Sequence, residues 1–338
     1  MHRKGTSDLK GEIFARGNLD KAFSDVLAKR RGQRSYMSLL EHKEEILKDI
    51  IARPFVTGVY QVREIEDKSS GKTRTLMVAP FRDQVLQHAV MNVCHPFFER
   101  RFVRETCCAM KGRGPLYASK LLRKAVSEGN KYFAKFDIRH YYASIPHEAL
   151  IAQVNRLFKD PYVQAFFDHI ISSCEKGIPL GNHTSQDLAN LYLTQLDRYV
   201  KETLKMKGYA RYNDDFAILS RSKRELKRAV PKVLSFVHSL GLETHGDEQV
   251  RPIRPRNKDK SACVDLGGWR VYKGCVIVRK RIWRRLRRGL LRQARKPSRD
   301  RARRNVSRFG YLTHSSSFRA KRLYNKGIRE TLESVKGR

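Results

Sequence analysis

Tyr212-Asn213-Asp214-Asp215 sets two carboxylates side by side between two apolar runs, Tyr209-Ala210 and Phe216-Ala217-Ile218-Leu219. The apolar runs read as strands and the residues between them as a turn, which puts the acidic pair at the tip of a hairpin. Adjacent carboxylates repel each other, so a buried tip tolerates them only beside a cation, and a divalent metal serves that need. Asn and Asp also accept the left-handed backbone of tight turns, so a solvated turn is the competing explanation for these residues taken alone. A third carboxylate, Asp137, ends Tyr132-Phe133-Ala134-Lys135-Phe136, which reads as a buried strand. Such an Asp either faces a site that is otherwise apolar or caps a helix.

Other segments have the makings of a binding site. Gly177-Ile178-Pro179-Leu180-Gly181-Asn182-His183-Thr184-Ser185-Gln186 is a glycine-bounded loop, and glycine lets backbone approach a ligand closely. Thr184 or Ser185 is placed to cap the helix that follows through Leu188, Leu191, Tyr192 and Leu196. Residues 59–65 alternate like a strand, turn over 67–71 and return over 73–78, giving a ribbon that carries Lys72 and Arg74. Those two are either a solvated basic face or a grip on a triphosphate. Lys111-Gly112-Arg113-Gly114 suits phosphate contact or a plain surface turn.

The supporting elements follow from periodicity. The first dozen or so residues, polar and glycine-punctuated, read as a loose tail. Leu19, Ala22, Phe23, Val26 and Leu27 fall at helical spacing, and a second helical stretch runs through Leu39, Leu40, Leu47 and Ile51. Val85, Leu86, Ala89, Val90 and Val93 mark an amphipathic helix that Pro96 is expected to stop.

The chain has 338 residues, 40% of them apolar, and no apolar run long enough to span a bilayer, so a soluble globular protein with an ample core is expected. Its 71 Lys and Arg against 34 Asp and Glu leave a formal charge of +37, which calls for a polyanionic partner, nucleic acid ahead of a membrane surface. Cys94, Cys107, Cys108, Cys174, Cys263 and Cys275 show no paired Cys-x-x-Cys spacing and read as reduced, mostly buried thiols of a cytoplasmic protein.

Taken in order, Phe136-Asp137 with Tyr142-Ala143-Ser144-Ile145, Gly177-Ile178-Pro179 with Ser185 to Leu193, and Tyr212-Asn213-Asp214-Asp215 resemble motifs A, B and C of reverse transcriptases. The resemblance runs over residues 36–325. It implies an α+β right-hand polymerase fold with fingers, a palm of antiparallel sheet with helices on one face, and a helical thumb. The implied layout is an N-terminal tail at 1–18, fingers with the start of the palm at 19–130, palm at 131–268 and a basic thumb at 269–338. The implied chemistry is nucleotidyl transfer with two metals about 3.5 to 4 Å apart. Asp137 and Asp214 would hold both ions, magnesium or alternatively manganese, with Asp215 supporting them less directly. Lys72, Arg74, Tyr142, Leu180, Gly181 and Gln186 correspond to the deoxynucleoside triphosphate site, Tyr142 being the aromatic that excludes a 2′-hydroxyl. Ordinary core packing suits its neighbour Tyr141 better.

Within the family, Pro179-Leu180-Gly181 and Ser185-Gln186 depart from the usual Pro-Gln-Gly and Ser-Pro. They look like the reverse transcriptases of diversity-generating retroelements. A leucine in place of glutamine offers shape but no hydrogen bond, so wrong pairs are penalised less; in that group the errors fall on template adenines. The resemblance implies a template-repeat RNA and its cDNA as substrate and product, and a small basic oligomeric accessory protein as partner. Leu240-Gly241-Leu242 resembles the start of motif D, with Gln249 where a lysine is common, and Val264-Asp265-Leu266-Gly267-Gly268-Trp269 resembles motif E. From Trp269 onward 24 Lys and Arg face 3 Asp and Glu, more than half of the formal net charge. Ile282, Leu286 and Leu290 give that segment a helix with one apolar face, the rest coated by arginines that include Arg284, Arg285, Arg287, Arg288 and Arg292. Trp269, Arg284, Arg285, Arg288 and Arg292 are the expected primer and template contacts, and no RNase H or endonuclease domain is expected after them. The alternatives are a defence-associated or orphan bacterial reverse transcriptase, a non-catalytic RNA-binding scaffold derived from one, and a basic membrane-surface protein.

Overall fold

The computed structural model describes residues 8–55, 58–67, 72–256 and 262–317, and single positions beyond 317. Leu9 is buried just before a short helix, α1 (Lys10–Phe14), which buries Ile13 and packs on a later helix. Its open end is held by Asp160, whose Oδ2 accepts from the Leu9 and Lys10 N–H groups at 2.5 and 2.9 Å. The segment expected as loose tail is thus a docked helix from Lys10 onward; the carboxylate that holds it is 150 residues away in sequence, beyond the reach of local periodicity.

Helix α2 (Arg16–Ala28) buries Leu19, Ala22, Phe23, Val26 and Leu27, the stripe that its spacing anticipates. The next stretch is two helices, α3 (Ser35–Glu41) and α4 (Lys43–Ala52), with Leu47 and Ile50 buried. Leu40 and Ile51, expected on the apolar face, are exposed, because the break at His42 resets the helical phase. Strands β1 (Gln61–Asp67) and β2 (Lys72–Val78) form the expected ribbon, with Gln61 opposite Val78 and Asp67 opposite Lys72. Helix α5 (Phe81–Glu99) continues through Pro96 rather than stopping there. A proline this close to the end removes one donor, and the turn closes through Arg100 N–H on the Pro96 carbonyl at 3.4 Å.

There follow α6 (Pro115–Ser127), β3 (Tyr132–Asp137), α7 (Tyr141–Ser144), α8 (His147–Leu157), α9 (Pro161–Ile171) and α10 (Ser185–Arg198), the last continuing as a π turn over Tyr199–Thr203. Then come β4 (Gly208–Tyr212), β5 (Asp215–Ser220), α11 (Lys223–Ser239), β6 (Arg251–Pro252), β7 (Val264–Leu266), β8 (Trp269–Tyr272), β9 (Cys275–Val278), α12 (Lys280–Arg295) and α13 (Arg299–Thr313).

The chain divides into two compact units. The first, residues up to Val103 with Arg139–Gln195 and Leu240–Leu242, is helical apart from the β1–β2 ribbon. Its core includes an edge-to-face aromatic cluster, Phe98 lying 5.3 Å from Phe158 and 5.5 Å from Phe167.

The second unit, Arg104–Ile138, Leu196–Ser239 and Glu243 onward, is built on an antiparallel sheet of order β4-β5-β3-β6. Strand alternation sorts its residues by face. Phe136 and Phe216 are opposed and stacked at 4.6 Å on one face. The other carries Phe133, Ala210, Ala217 and Leu219, which join Leu122 of α6, Val264 of β7 and Trp269 of β8 in one apolar cluster. Further along that same face lie Lys135, Asp137 and Asp215. The hairpin β7–β8 turns through Gly267 and Gly268, both at positive φ (57° and 89°), as a tight two-residue loop requires. Helices α12 and α13 meet at Gly289, where any Cβ would overlap the buried Asn305 amide. All six cysteines are free, three of them buried, and burial pushes the Cys107 thiol up to about 12. No helix among the described residues is long and apolar enough to cross a membrane.

Candidate active site

The acidic hairpin is formed by β4 and β5, with Tyr212 opposite Asp215 and Asn213-Asp214 as the loop. Asn213 takes the left-handed backbone that such a loop needs, at φ 57°. Asp137 ends β3 directly opposite Asp215. The backbone ties these ends together: Ile138 N–H donates to the Asp214 carbonyl at 3.4 Å and His245 N–H to that of Asp137 at 3.2 Å. The second unit therefore gathers Asp137, Asp214 and Asp215 at adjacent strand ends, each half-buried.

Their electrostatics show what the cluster lacks. Burial pushes the Asp215 carboxyl up to about 6, and the charges of Asp137 and Asp214 add to the rise. Lys135, two residues before Asp137 on the same strand face, opposes it with an ion pair to Asp215 Oδ1 at 2.8 Å. A divalent cation is the kind of charge that three neighbouring carboxylates attract. The donors are oxygens only, which suits magnesium. Among the described residues no group of three or more His, Cys, Asp or Glu side chains is arranged to hold a metal ion. An open site, completed by substrate phosphate and water, is the arrangement magnesium favours.

A cavity of about 190 Å³ opens beside Asp137, lined also by Lys135, His245, Gln249 and Asp265. Gln249, read from the sequence as standing where a lysine is common, thus faces the same space as Asp137. Asp265 is held by Arg270 and Arg279 at 3.1 and 2.5 Å.

The first unit collects the other candidate residues. Ile178 N–H donates to the Tyr142 carbonyl at 2.8 Å, and Gly177, at φ 70°, approaches so closely that a Cβ would overlap that oxygen. Tyr142 is half-buried, whereas Tyr141 is core, its hydroxyl donating to the Ala189 carbonyl at 2.5 Å. The Leu180 carbonyl accepts from Met77 N–H of β2 at 2.8 Å, so the loop of Leu180 and Gly181 is pinned to the strand whose backbone carries Lys72 and Arg74. The side chains of Lys72 and Arg74 lie outside the described residues. Gln186 is exposed on the first turn of α10. Ser185 is the first residue of α10, and its hydroxyl donates back to the Pro179 carbonyl at 2.5 Å and closes the loop.

Two thumb expectations separate. Arg284, Arg288 and Arg292 are exposed on α12, with Arg285 half-buried, a surface open to phosphates. Trp269 is 1% exposed and stacks on Tyr311 at 5.5 Å, so it fastens the β7–β8 hairpin and presents no ring to a primer. Its expected role as a direct contact is corrected by that burial: the apolar cluster claims the whole indole. Sequence reasoning also passed over Lys135, Arg211 and Asp197. The charged Lys135 and Arg211, each within a strand-like run, were the available signals.

Residues 65–247 match the family model described as reverse transcriptase (RNA-dependent DNA polymerase). The chain belongs to the reverse transcriptase family. Its similar proteins include the group II intron-encoded protein LtrA of Lactococcus lactis subsp. cremoris, 27% identical over 179 residues, 48% of this chain and 29% of that protein. Protein YkfC of Escherichia coli is 22% identical over 183 residues, 49% of this chain and 48% of that one. The match thus spans less than a third of LtrA and under half of YkfC. Apo telomerase from Candida tropicalis superposes with a TM-score of 0.52 at 12% identity, covering 87% of this chain and 62% of that one. The telomerase of the same organism with a fragment of telomeric RNA gives 0.53 at 11%, covering 85% and 58%. That likeness shows the fold, which is the right-hand polymerase fold, mixed helix and sheet with an antiparallel palm sheet.

Proposed function

We propose that this reverse transcriptase is an RNA-dependent DNA polymerase of the diversity-generating type, copying a template-repeat RNA into adenine-mutated cDNA. The observation that carries the polymerase reading is the convergence of Asp137 at the end of β3 with Asp214 and Asp215 on the β4–β5 hairpin. Asp137 and Asp214 would hold the catalytic magnesium ions, with Asp215 in support. Bound there, the metal supplies charge stabilisation to the attacking primer oxygen and the departing pyrophosphate. The chain's own residues do the rest. Tyr142, braced by Ile178, sits beneath the incoming sugar and leaves no room for a 2′-hydroxyl. Lys72 and Arg74 on β2 hold the triphosphate, and Leu180 and Gly181, pinned to the same strand, border the nascent pair together with Gln186. The exposed arginines of α12 bind the phosphates of template and product, with affinity that falls steeply with salt. A scaffold without catalysis has no use for three neighbouring carboxylates, where burial and then the charges of Asp137 and Asp214 raise the Asp215 pKa.

The diversity-generating assignment is supported by Leu180 and by Ser185-Gln186. An apolar side chain beside the base pair reads shape alone, so mispairs are rejected by less free energy. A small basic oligomeric accessory protein completes the working complex on this reading. The second reading, a reverse transcriptase nearer to intron-encoded proteins, is favoured by the likeness to LtrA.

One experiment separates them: sequencing cDNA made by the purified protein with magnesium on an RNA template of balanced composition. Errors concentrated opposite template adenines and reduced in Leu180→Gln support the diversifying role. Even, low error rates favour the intron-like reading. Synthesis retained by Asp214→Ala would overturn the site assignment itself.

A further inference from the structure

Beneath the acidic hairpin lies an ion pair with no solvent contact. Arg211 on β4 and Asp197 in the last turn of α10 are both 0% exposed. Arg211 Nε and Nη2 donate to the two carboxylate oxygens at 2.8 and 2.6 Å. The carboxylate also accepts from the Tyr209 hydroxyl at 2.5 Å and the Thr106 hydroxyl at 2.9 Å. The Arg211 backbone is itself gripped on both sides, its N–H donating to the Glu105 carbonyl at 3.0 Å and its carbonyl accepting from Cys107 N–H at 2.8 Å.

Such a pair is a poor device for stability. Removing both charges from water costs several kcal/mol per ion, and apolar replacements of similar volume are often neutral or stabilising. What apolar side chains cannot reproduce is the remaining nitrogen. Arg211 Nη1 donates to the carbonyl of Asn213 at 3.0 Å, the peptide that leads into Asp214. Asn213 is the left-handed residue of the loop, and the next carbonyl, that of Asp214, accepts from Ile138 beside Asp137. Consecutive carbonyls of the tip are therefore fixed, one by the buried guanidinium and the other by the strand that bears Asp137.

We infer that Arg211, oriented by Asp197, is a positioning residue that sets the Asn213–Asp214 peptide and so aims the Asp214 carboxylate at the reaction centre. The inference rests on the polymerase reading of the site. The guanidinium is suited to the task because it is planar, always charged and able to use both edges at once, whereas lysine offers a point charge without the fork. A misplacement of about 1 Å in a catalytic group costs about 10²-fold in rate.

The test uses the full chain carrying Arg211→Met with Asp197→Leu, which removes both charges together and leaves no orphaned ion; Arg211→Lys serves as the conservative comparison. The expected outcome for the double variant is a folded protein with RNA affinity and deoxynucleotide KM unchanged and kcat lowered about 10²-fold. Hydrogen exchange at the Tyr212 to Asp215 amides should quicken about tenfold while the interiors of β3 and β5 keep their protection. Arg211→Lys, which keeps the charge beside Asp197 but loses the fork, is expected to remain folded with kcat lowered as in the double variant. A folded double variant with kcat within about threefold of wild type, or with unchanged exchange at the tip, overturns the inference. If the wild-type protein makes no cDNA, the polymerase reading fails, and the exchange measurement alone decides whether Arg211 sets the hairpin.

Discussion

Replacing Asp215 with Asn tests the electrostatics of the hairpin without touching its shape. In the metal-free protein Asp215 is 21% exposed and faces two more carboxylates, and its pKa rises from 3.8 to about 6 because burial, then Asp137 and Asp214, outweigh the help of Lys135. Below about pH 4 the carboxyl is protonated in both folded and unfolded chains and costs nothing. Between about pH 4 and pH 6 only the folded chain keeps the proton, so stability falls as pH rises, and above about pH 6 the loss is complete. At 1.36 kcal/mol per pKa unit the penalty at neutral pH is about 3 kcal/mol. Asp215→Asn does not pay it. Urea unfolding in the presence of a chelator, followed by tryptophan fluorescence, is the assay; Trp269 and Trp283 both belong to the unit that holds the hairpin. The variant should match wild type near pH 4 and exceed it by about 3 kcal/mol near pH 8. Added magnesium should narrow the gap by stabilising the wild type. A stability difference that does not change with pH would refute the argument.

Two further outcomes follow from the first unit. Gly177→Ala forces a side chain onto a left-handed backbone and into the Tyr142 carbonyl, so a loss of more than about 2 kcal/mol is expected in denaturant unfolding. Tyr142→Val should leave deoxynucleotide incorporation within about tenfold of wild type and admit ribonucleotides, read in single-nucleotide extension assays; unchanged sugar selectivity would remove Tyr142 from the nucleotide site.

Much of the architecture was legible because it depends on local order. The stripe from Leu19 to Leu27, the β1–β2 ribbon and the Tyr212 to Asp215 hairpin each follow from periodicity and turn chemistry within a few residues. Where local rules failed, a distant group had intervened or a break had reset the phase. Asp160 turns a polar tail into a docked helix, α5 carries Pro96 in its last turn, and His42 divides one helical stretch into α3 and α4.

The residue types that can do chemistry, three aspartates, a glycine-bounded loop and a run of arginines, were determined by the sequence alone, because charge and backbone permissiveness belong to residues wherever they lie. Only the tertiary structure decided which of them meet. Register places Asp137 opposite Asp215 and Lys135 on the same face. Packing takes Trp269 out of reach of any ligand and draws Asp197 and Arg211 together under the hairpin. The physical reason is range: pairing across strands and burial of charge depend on contacts between residues far apart in the chain, and these exist only once the whole unit has folded.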